Sequence, residues 1–560
     1  MKQMMKLIRV TSVVIFLMIV FHSHSFAQLT ERQRADVVKN LDVFNEFFKR
    51  TLMNYVDSLD TQKLMTGAIN HVLNQLDPYS EYIPSQEMSE FQFMTTGEYG
   101  GIGAVISMQE DTIIIREPYE GMPAASAGLL PGDRILSIDG ESMEGKNTKD
   151  ASEKLKGQPN TTLKLTYQRV GEKNPKEVTI ERKRVHINPI TYYGKPENQI
   201  GYISMSSFTV ESAQSFKNAL IELTSDDRLQ GLIIDVRDNG GGVLEECLEI
   251  LNFFLPEGEI LLSIKGKNKQ YEKNFRATQA PLQPELPLVV LVNGSSASAS
   301  EILAGTIQDL DRGVIIGNRT FGKGLVQSSQ PMPYGGQLKL TTSKYYIPSE
   351  RSIQRINYSH RDGEGRADEI PDSLTSVYHT KNGRQVRDGG GILPDFVIEP
   401  ETIPTIIYYL EMKSMFFDFV VQWRKDHPNV VSPSEFVMTD EIYSAFKDFV
   451  RSKEFTYDRL SEQRLEALKK SMELEGYSDM ASSELEALEK KVKPDLDRDF
   501  EFHKDLITEY LSMHIMRQYY HVKGQLIYSL KNDKALSKAI ELLNNETLYR
   551  ETLQPAVEEK

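Results

Sequence analysis

The sequence predicts a multidomain α/β + α chain, and three observations predict it. At 560 residues the chain is too long for one hydrophobic core, and about three or four domains are expected. The apolar period changes along the chain, from helical spacing to short alternating strands with glycines, then to strand alternating with helix, then back to helix. With 39% hydrophobic and 26% charged residues, the composition is that of globular protein. A net charge of −15 and no basic stripe argue against nucleic acid as a partner.

Residues 1–27 carry Lys2, Lys6 and Arg9, an apolar run from Val10 to Phe21, then Ser25-Phe26-Ala27 before Gln28. A basic start, a short apolar centre and small residues two apart read as a signal peptide cleaved near Ala27. The run is short of the ~20 residues of a spanning helix, so an exported, periplasmic protein with no stable membrane span is expected. No cysteine stands at the cleavage site for lipid attachment. Cys247 is the only cysteine, so no internal disulfide forms. With Val243, Leu244, Leu248 and Leu251 it shares one helical face, which reads as core. The histidines are dispersed, and neither a metal nor any other cofactor is called for.

Residues 28–95 form an N-terminal helical segment. Val37, Leu41, Phe44, Phe48 and Val56 share one face, and Leu64, Ala68, Val72 and Leu76 the next, up to the turn signal Asp77–Ser80. Such a stripe is expected to be core, or to pair two chains. Residues 96–184 are β-rich, with GGIGAVISM from Gly100 and AGLLPGDRILSIDG from Ala127 to Gly140. That order and phrase resemble a PDZ domain. The resemblance implies that an extended peptide tail adds to a sheet edge, with its carboxylate held by the backbone of the Tyr99–Ala104 loop. Gly100, Gly101, Ile102, Gly103, Ala104 and Ile106 are the peptide-binding candidates.

Residues 185–400 alternate strand and helix, with IGYISM, LIIDVR, LPLVVLVN and GVIIGN as buried strands. An α/β core follows. Residues 401–560 are helical and charged, an all-α C-terminal region whose alternating charges read as solvated faces. A homo-oligomer or an adaptor docked on the helical regions is left open.

Two stretches of the core point to chemistry: VNGSSASASEILAGTIQD at Val292–Asp309 and RTFGKGLVQ at Arg319–Gln327. Ile302, Leu303, Thr306, Ile307 and Leu310 recur at helical spacing, so a helix begins near Ser298 and its dipole favours negative charge there. Ser298-x-x-Glu301 is also a capping box, the structural alternative. Capping does not explain Lys323, set between Gly322 and Gly324 on a turn. A lysine serves as base only when its pKa falls: at about 10.4 roughly one in 2,500 is neutral at pH 7, at about 7.5 roughly one in four. Lys323 is therefore expected to be buried with few carboxylates nearby, with Gln327 placed to orient the amine.

DVRDNGGG (Asp235–Gly242), SASASE and FGKG-xx-Q together resemble the carboxyl-terminal processing (tail-specific) proteases over roughly Asp77–Pro400. The resemblance implies a crotonase-like protease core in which Ser298 is the nucleophile, Lys323 the base and Gln327 its support. It implies oxyanion donors in the N–H of Ala299 and of Gly241, with Gly240 as the alternative, a structural role for Asp309, and protein substrates with exposed carboxyl-terminal tails. Gly240 stands where the family often has proline, and Glu350 where it often has glycine. A trypsin-like PDZ protease needs a serine in the glycine motif, which is absent. A silent tail-binding scaffold has no reason to keep all three of Ser298, Lys323 and Gln327. A penicillin-binding transpeptidase would need Ser444-x-x-Lys447, which sits on a charged helix.

Overall fold

A computed structural model describes residues 30–197, 199–225, 229–361, 367–493 and 495–555. The expected signal peptide lies outside the described residues. The chain divides into two units, one up to Pro84 and one from Ser85.

The first unit holds α1 (Glu31–Asn54), opened by a Thr30–Gln33 capping box, and α2 (Thr61–Asn74), capped by Asp60. The stripe read as core is not buried. No residue of α1 is buried; of the stripe, Leu41 and Val56 are more than half exposed, and Val37 and Phe48 are half-buried. A helix opened by such caps forms from local signals alone, which say nothing of what its apolar face meets.

The second unit begins its β-rich domain with β1 (Glu98–Gly101), β2 (Ala104–Gln109), β3 (Thr112–Pro118), β4 (Arg134–Ile138), α3 (Thr148–Leu155), β5 (Thr162–Gln168), β6 (Lys176–Glu181) and β7 (Lys183–His186). The antiparallel sheet runs β2-β3-β4-β5-β6, and β1 pairs separately with β7. Alternation along β5 buries Leu163, Leu165 and Tyr167 and exposes Thr162 and Lys164. These side chains close over Ile113, Ile115, Ile135 and Ile138 as one core. Strand β2 is left at the sheet's edge.

The α/β core follows: β8 (Ile190–Glu197), β9 (Ile200–Met205), α4 (Ser212–Thr224), β10 (Gly231–Asp235), α5 (Leu244–Asn252), β11 (Ile260–Gly266), β12 (Leu288–Val292), α6 (Ala299–Asp309), β13 (Val314–Gly317), β14 (Leu325–Pro331), β15 (Gln337–Tyr346) and β16 (Phe396–Val397). Its main sheet has the order β8-β9-β10-β12-β13-β16, parallel from β9 onward. Central strands covered on both faces need unbroken apolar runs, and every residue of β10 and β12 is buried. One face packs on α4, α5 and α6 through Phe216, Leu220, Cys247, Leu251 and Leu303. Cys247 is fully buried, as read from its helical face, and donates Sγ–H to Ala299 O at 3.2 Å.

The other face of that sheet is covered by the far end of the chain. The C-terminal region contributes α7 (Thr405–Met412), α8 (Met415–Trp423), α9 (Asp440–Ser452), α10 (Lys504–Ser529), α11 (Lys534–Leu543) and α12 (Glu546–Thr552), with further helices over 460–502. Helices α7 to α10 share an aromatic core around Phe416, Phe446 and Phe500. Helices α11 and α12 instead lay Leu536, Ala539, Leu542 and Tyr549 on Tyr202, Ile233, Val289 and Ile316 of the sheet. Residues 401–560, read as one helical region, thus serve two cores. No helix among the described residues is long and apolar enough to cross a membrane.

Candidate active site

Strand β12 ends at Val292, and α6 starts at Ala299. Between them the chain turns through Ser298 with φ 56° and ψ −114°, a left-handed conformation costing on the order of 1–3 kcal/mol for a residue with a side chain. The neighbours hold it there. Ser296 donates Oγ–H to Val236 O and Ser300 to Asn239 O, both at 2.8 Å, and both serines are fully buried. Of the three alternating serines the outer two rivet the turn to the Asp235–Gly242 loop, and only half-buried Ser298 stands at the mouth of the helix.

That loop is itself built by its side chains. Asp235 accepts from Tyr202 and Arg237, and Arg237 also reaches Asp533, the N-cap of α11, at 2.5 Å. Asp238 and Asn293 exchange hydrogen bonds. Buried Asn239 donates Nδ2–H to Met205 O at 3.0 Å and accepts the Gly241 N–H at 2.9 Å. At Gly241 (φ 100°) a Cβ would stand 2.8 Å from Ser298 Cβ and 2.9 Å from Ala299 N, so only glycine lets the loop approach the serine. The resemblance implies the Gly241 N–H as oxyanion donor, with that of Gly240 as the alternative. In this conformation the Gly241 N–H is committed to Asn239, whereas those of Gly240 and Ala299 take no acceptor among the described residues.

Lys323 follows the short strand β13 on the Phe321–Gly324 turn. The expectation of a buried lysine is corrected, since Lys323 is half-buried; its backbone N–H donates to Glu301 Oε2 at 2.8 Å. Its carbonyl accepts from the Tyr345 hydroxyl. The flanking glycines are needed because residues 354 and 355 lie against them. A Cβ on Gly322 would stand 2.3 Å from Arg355 Cβ, and one on Gly324 2.8 Å from Gln354 N. Gln354 Oε1 also accepts the Gly324 N–H at 2.7 Å. Gln327, on β14, donates Nε2–H to Thr341 Oγ1 at 3.1 Å.

The residue joining the two halves is Glu301, which sequence reading treated only as a cap. Its Oε2 accepts the N–H of Ser298 at 2.9 Å and that of Lys323 at 2.8 Å. Its Oε1 accepts from Thr320 Oγ1 at 2.6 Å and from the Gly322 N–H at 2.7 Å. One fully buried carboxylate therefore sets the backbones of both candidate residues on a common anchor. Burial pushes its pKa up to about 7, against the lowering effect of those four donors. A carboxyl group whose folded-state pKa is raised stabilises the fold fully below its unfolded value, near 4.5, and loses that contribution as pH rises through about 7. The loss is roughly 3 kcal/mol. In Glu301→Gln the amide NH2 faces either the Ser298 and Lys323 N–H groups or the Gly322 N–H and the Thr320 hydroxyl. We expect a folded protein whose stability depends less on pH between about 4.5 and 7 and whose kcat falls about 100-fold, checked by melting curves and single-turnover rates.

Asp309 pairs with Arg351 at 2.8 Å and accepts the Ser349 N–H at 3.0 Å, a structural clasp at the end of α6. Gly100 and Gly101 pair with Arg184 and Lys183 across β1 and β7. Ile102 is buried in the β-rich core, with Ala104 and Ile106 of β2 against it. The N–H groups of Ile102 and Gly103 take no acceptor among the described residues, a pair of donors suited to a carboxylate. Ser444 is exposed and Lys447 is paired with Asp497 at 2.7 Å, so that motif is ordinary helix surface.

The profile of peptidase family S41 matches residues 199–359. That of the PDZ domain matches residues 114–169, and that of a C-terminal helical domain of PDZ-proteases residues 406–543. A carboxy-terminal-processing protease of Bartonella bacilliformis is 37% identical over 331 residues, covering 59% of this chain and 76% of that protein. One of Bacillus subtilis is 35% identical over 322 residues, covering 57% and 66%. Among solved structures, a photosystem II D1 C-terminal processing protease is 25% identical, covers 64% of this chain and 88% of its own, and has a TM-score of 0.35.

Proposed function

The chain belongs to peptidase family S41, the carboxy-terminal processing proteases, and on that premise we propose an exported serine endopeptidase that takes protein tails through its PDZ domain and cuts them with a Ser298–Lys323 dyad. The observation that carries this reading is the shared anchor: Glu301 Oε2 accepts both the Ser298 and the Lys323 N–H.

The neutral Lys323 amine takes the Ser298 Oγ proton as Oγ attacks the scissile carbonyl. The carbonyl oxygen becomes an oxyanion at the N-terminus of α6, held by the Ala299 N–H and a second N–H of the Gly240–Gly241 turn. Gly241 supplies it once its bond to Asn239 is exchanged, with Gly240 as the alternative donor. Collapse breaks the C–N bond, Lys323 returns its proton to the leaving amine, and an acyl-enzyme remains on Ser298. Water, deprotonated by the same amine, then releases the new carboxyl terminus. Gln327 orients the amine without adding charge. In the PDZ domain a tail would add to the free edge of β2, its carboxylate on the Ile102 and Gly103 N–H groups.

The test is digestion of a loosely folded protein with and without an apolar carboxyl-terminal tail, read by mass spectrometry. Faster cutting of the tailed substrate, at least tenfold, is expected. Equal rates would remove tail recognition from the proposal, and no cutting at all by the mature chain would count against the peptidase itself.

A further inference from the structure

Between the PDZ sheet and the helical region lies a cavity of about 430 Å³, within the range of small-molecule sites. It is not the tail groove. Alternation along β2 turns Ala104 and Ile106 into the PDZ core and Val105 and Ser107 into this seam. The PDZ side of the seam is largely apolar, with Val105, Pro118, Leu129 and Pro131, and α8 adds Phe417.

The polar part of the lining holds three arginines, Arg116, Arg424 and Arg517, against one carboxylate, Glu117, in a chain of net charge −15. Each carboxylate of the seam already has a closer partner. Glu117 accepts from Arg517 Nε at 2.9 Å and lies 3.7 Å from His521 Nδ1. Glu411 lies 2.7 Å from His514 Nε2, and Asp418 accepts from the Gln109 amide at 2.7 and 2.9 Å. Arg116 and Arg424 have no carboxylate at ion-pair distance among the described residues. Arg116 lies 3.9 Å over the Phe417 ring and reaches Ser414 Oγ at 3.4 Å. Arg424 lies 4.9 Å over the Tyr519 ring and donates to Gln518 O at 2.8 Å. Burial lowers the pKa of both guanidinium groups, and at Arg116 it outweighs the raising effect of Asp418 and Glu411. Taking a cation out of water without an anion is costly. Two half-buried guanidinium groups with no carboxylate at ion-pair distance among the described residues ask for a ligand that brings an anion.

We propose that this seam binds a small organic acid with an apolar body, the chemistry of an N-acylated apolar amino acid. Arg116 and Arg424 take the carboxylate, and the apolar body lies on the PDZ wall. Nothing in this depends on Ser298 or Lys323. The chain's single tryptophan, Trp423, lies edge-on to Tyr519 at 6.2 Å, and Tyr519 lines the cavity, so its emission reports on this place.

The test titrates the mature chain with N-acetyl-leucine, following Trp423 emission and the melting temperature. A saturable response in either is expected. Binding should be at least tenfold weaker for N-acetyl-leucinamide, which lacks the charge, and for the Arg116→Gln/Arg424→Gln variant. Arg424→Gln alone reads the same loss if the double variant does not fold. A peptide ending in leucine distinguishes the two sources: tighter binding assigns the end of a chain, weaker binding the free acid. No saturable response in either readout, or equal affinity for the amide or in the arginine variants, overturns the site.

Discussion

Replacing Ser298 by alanine is expected to slow peptide cleavage by about 10⁴- to 10⁶-fold while leaving the fold intact. The size follows from what remains. Ala299 and the glycine turn still offer their N–H groups, but no oxygen is left to carry the acyl group, so only water in a polarised site can attack. The fold survives because the serine's N–H, not its hydroxyl, is what Glu301 holds, and alanine keeps that N–H. Alanine is not comfortable at φ 56°, but Ser298 bears the same strain through its own Cβ, so the melting temperature should move little. Ser296→Ala and Ser300→Ala behave in the opposite way. Each removes a buried hydroxyl bonded to a loop carbonyl, so stability falls by about 1–3 kcal/mol and activity falls only as far as the turn shifts. The contrast between adjacent members of one serine run is read by melting curves and single-turnover rates.

The second large effect is expected at Lys323. Methionine there keeps the length and packing of the stem and removes the amine, so the loss should approach the 10²- to 10⁴-fold that general-base catalysis supplies. Arginine is the sharper variant. It keeps the positive charge but does not deprotonate in a protein, so Lys323→Arg should be as inactive as Lys323→Met if the amine is a base. It should retain activity if the lysine serves only as a cation. In both variants the backbone bonds to Glu301 and Tyr345 persist, so the turn and its glycines are undisturbed and substrate binding is preserved. The drop should appear in kcat rather than in KM, and the pH–rate profile should lose the limb that titrates the amine.

The core strands were legible because burial on both faces writes an unbroken apolar run, as in Leu288–Val292. Ser298 and Lys323 stood out because a capping serine and a glycine-flanked lysine each have a common structural reading that does not explain the other. The role of Glu301 was hidden for a physical reason. As a capping residue it is satisfied by the Ser298 N–H alone, and only the tertiary approach of Thr320–Lys323 shows its other three donors. The commitment of the Gly241 N–H to Asn239 was equally invisible, being a matter of side-chain rotation within the loop. Glu350 is informative in reverse. It stands where the resemblance has glycine, and its φ of 68° shows why glycine suits that turn. Gly240, where the resemblance has proline, has open space where a Cβ would stand. The two-fold use of the C-terminal helices could not be read from charge alternation, because α11 is as amphipathic as any surface helix and only the sheet it covers explains Leu536 and Leu542.

The central claim is that Ser298 carries the acyl group, and the most direct measurement is the mass of the enzyme quenched during turnover of an activated ester of an acylated amino acid. The account predicts one acyl adduct, mapped by peptide sequencing to the Ser298 segment, formed in a burst and absent from Ser298→Ala. Lys323→Met should form it at least 100-fold more slowly. An adduct on another residue, or full turnover by Ser298→Ala, would contradict it.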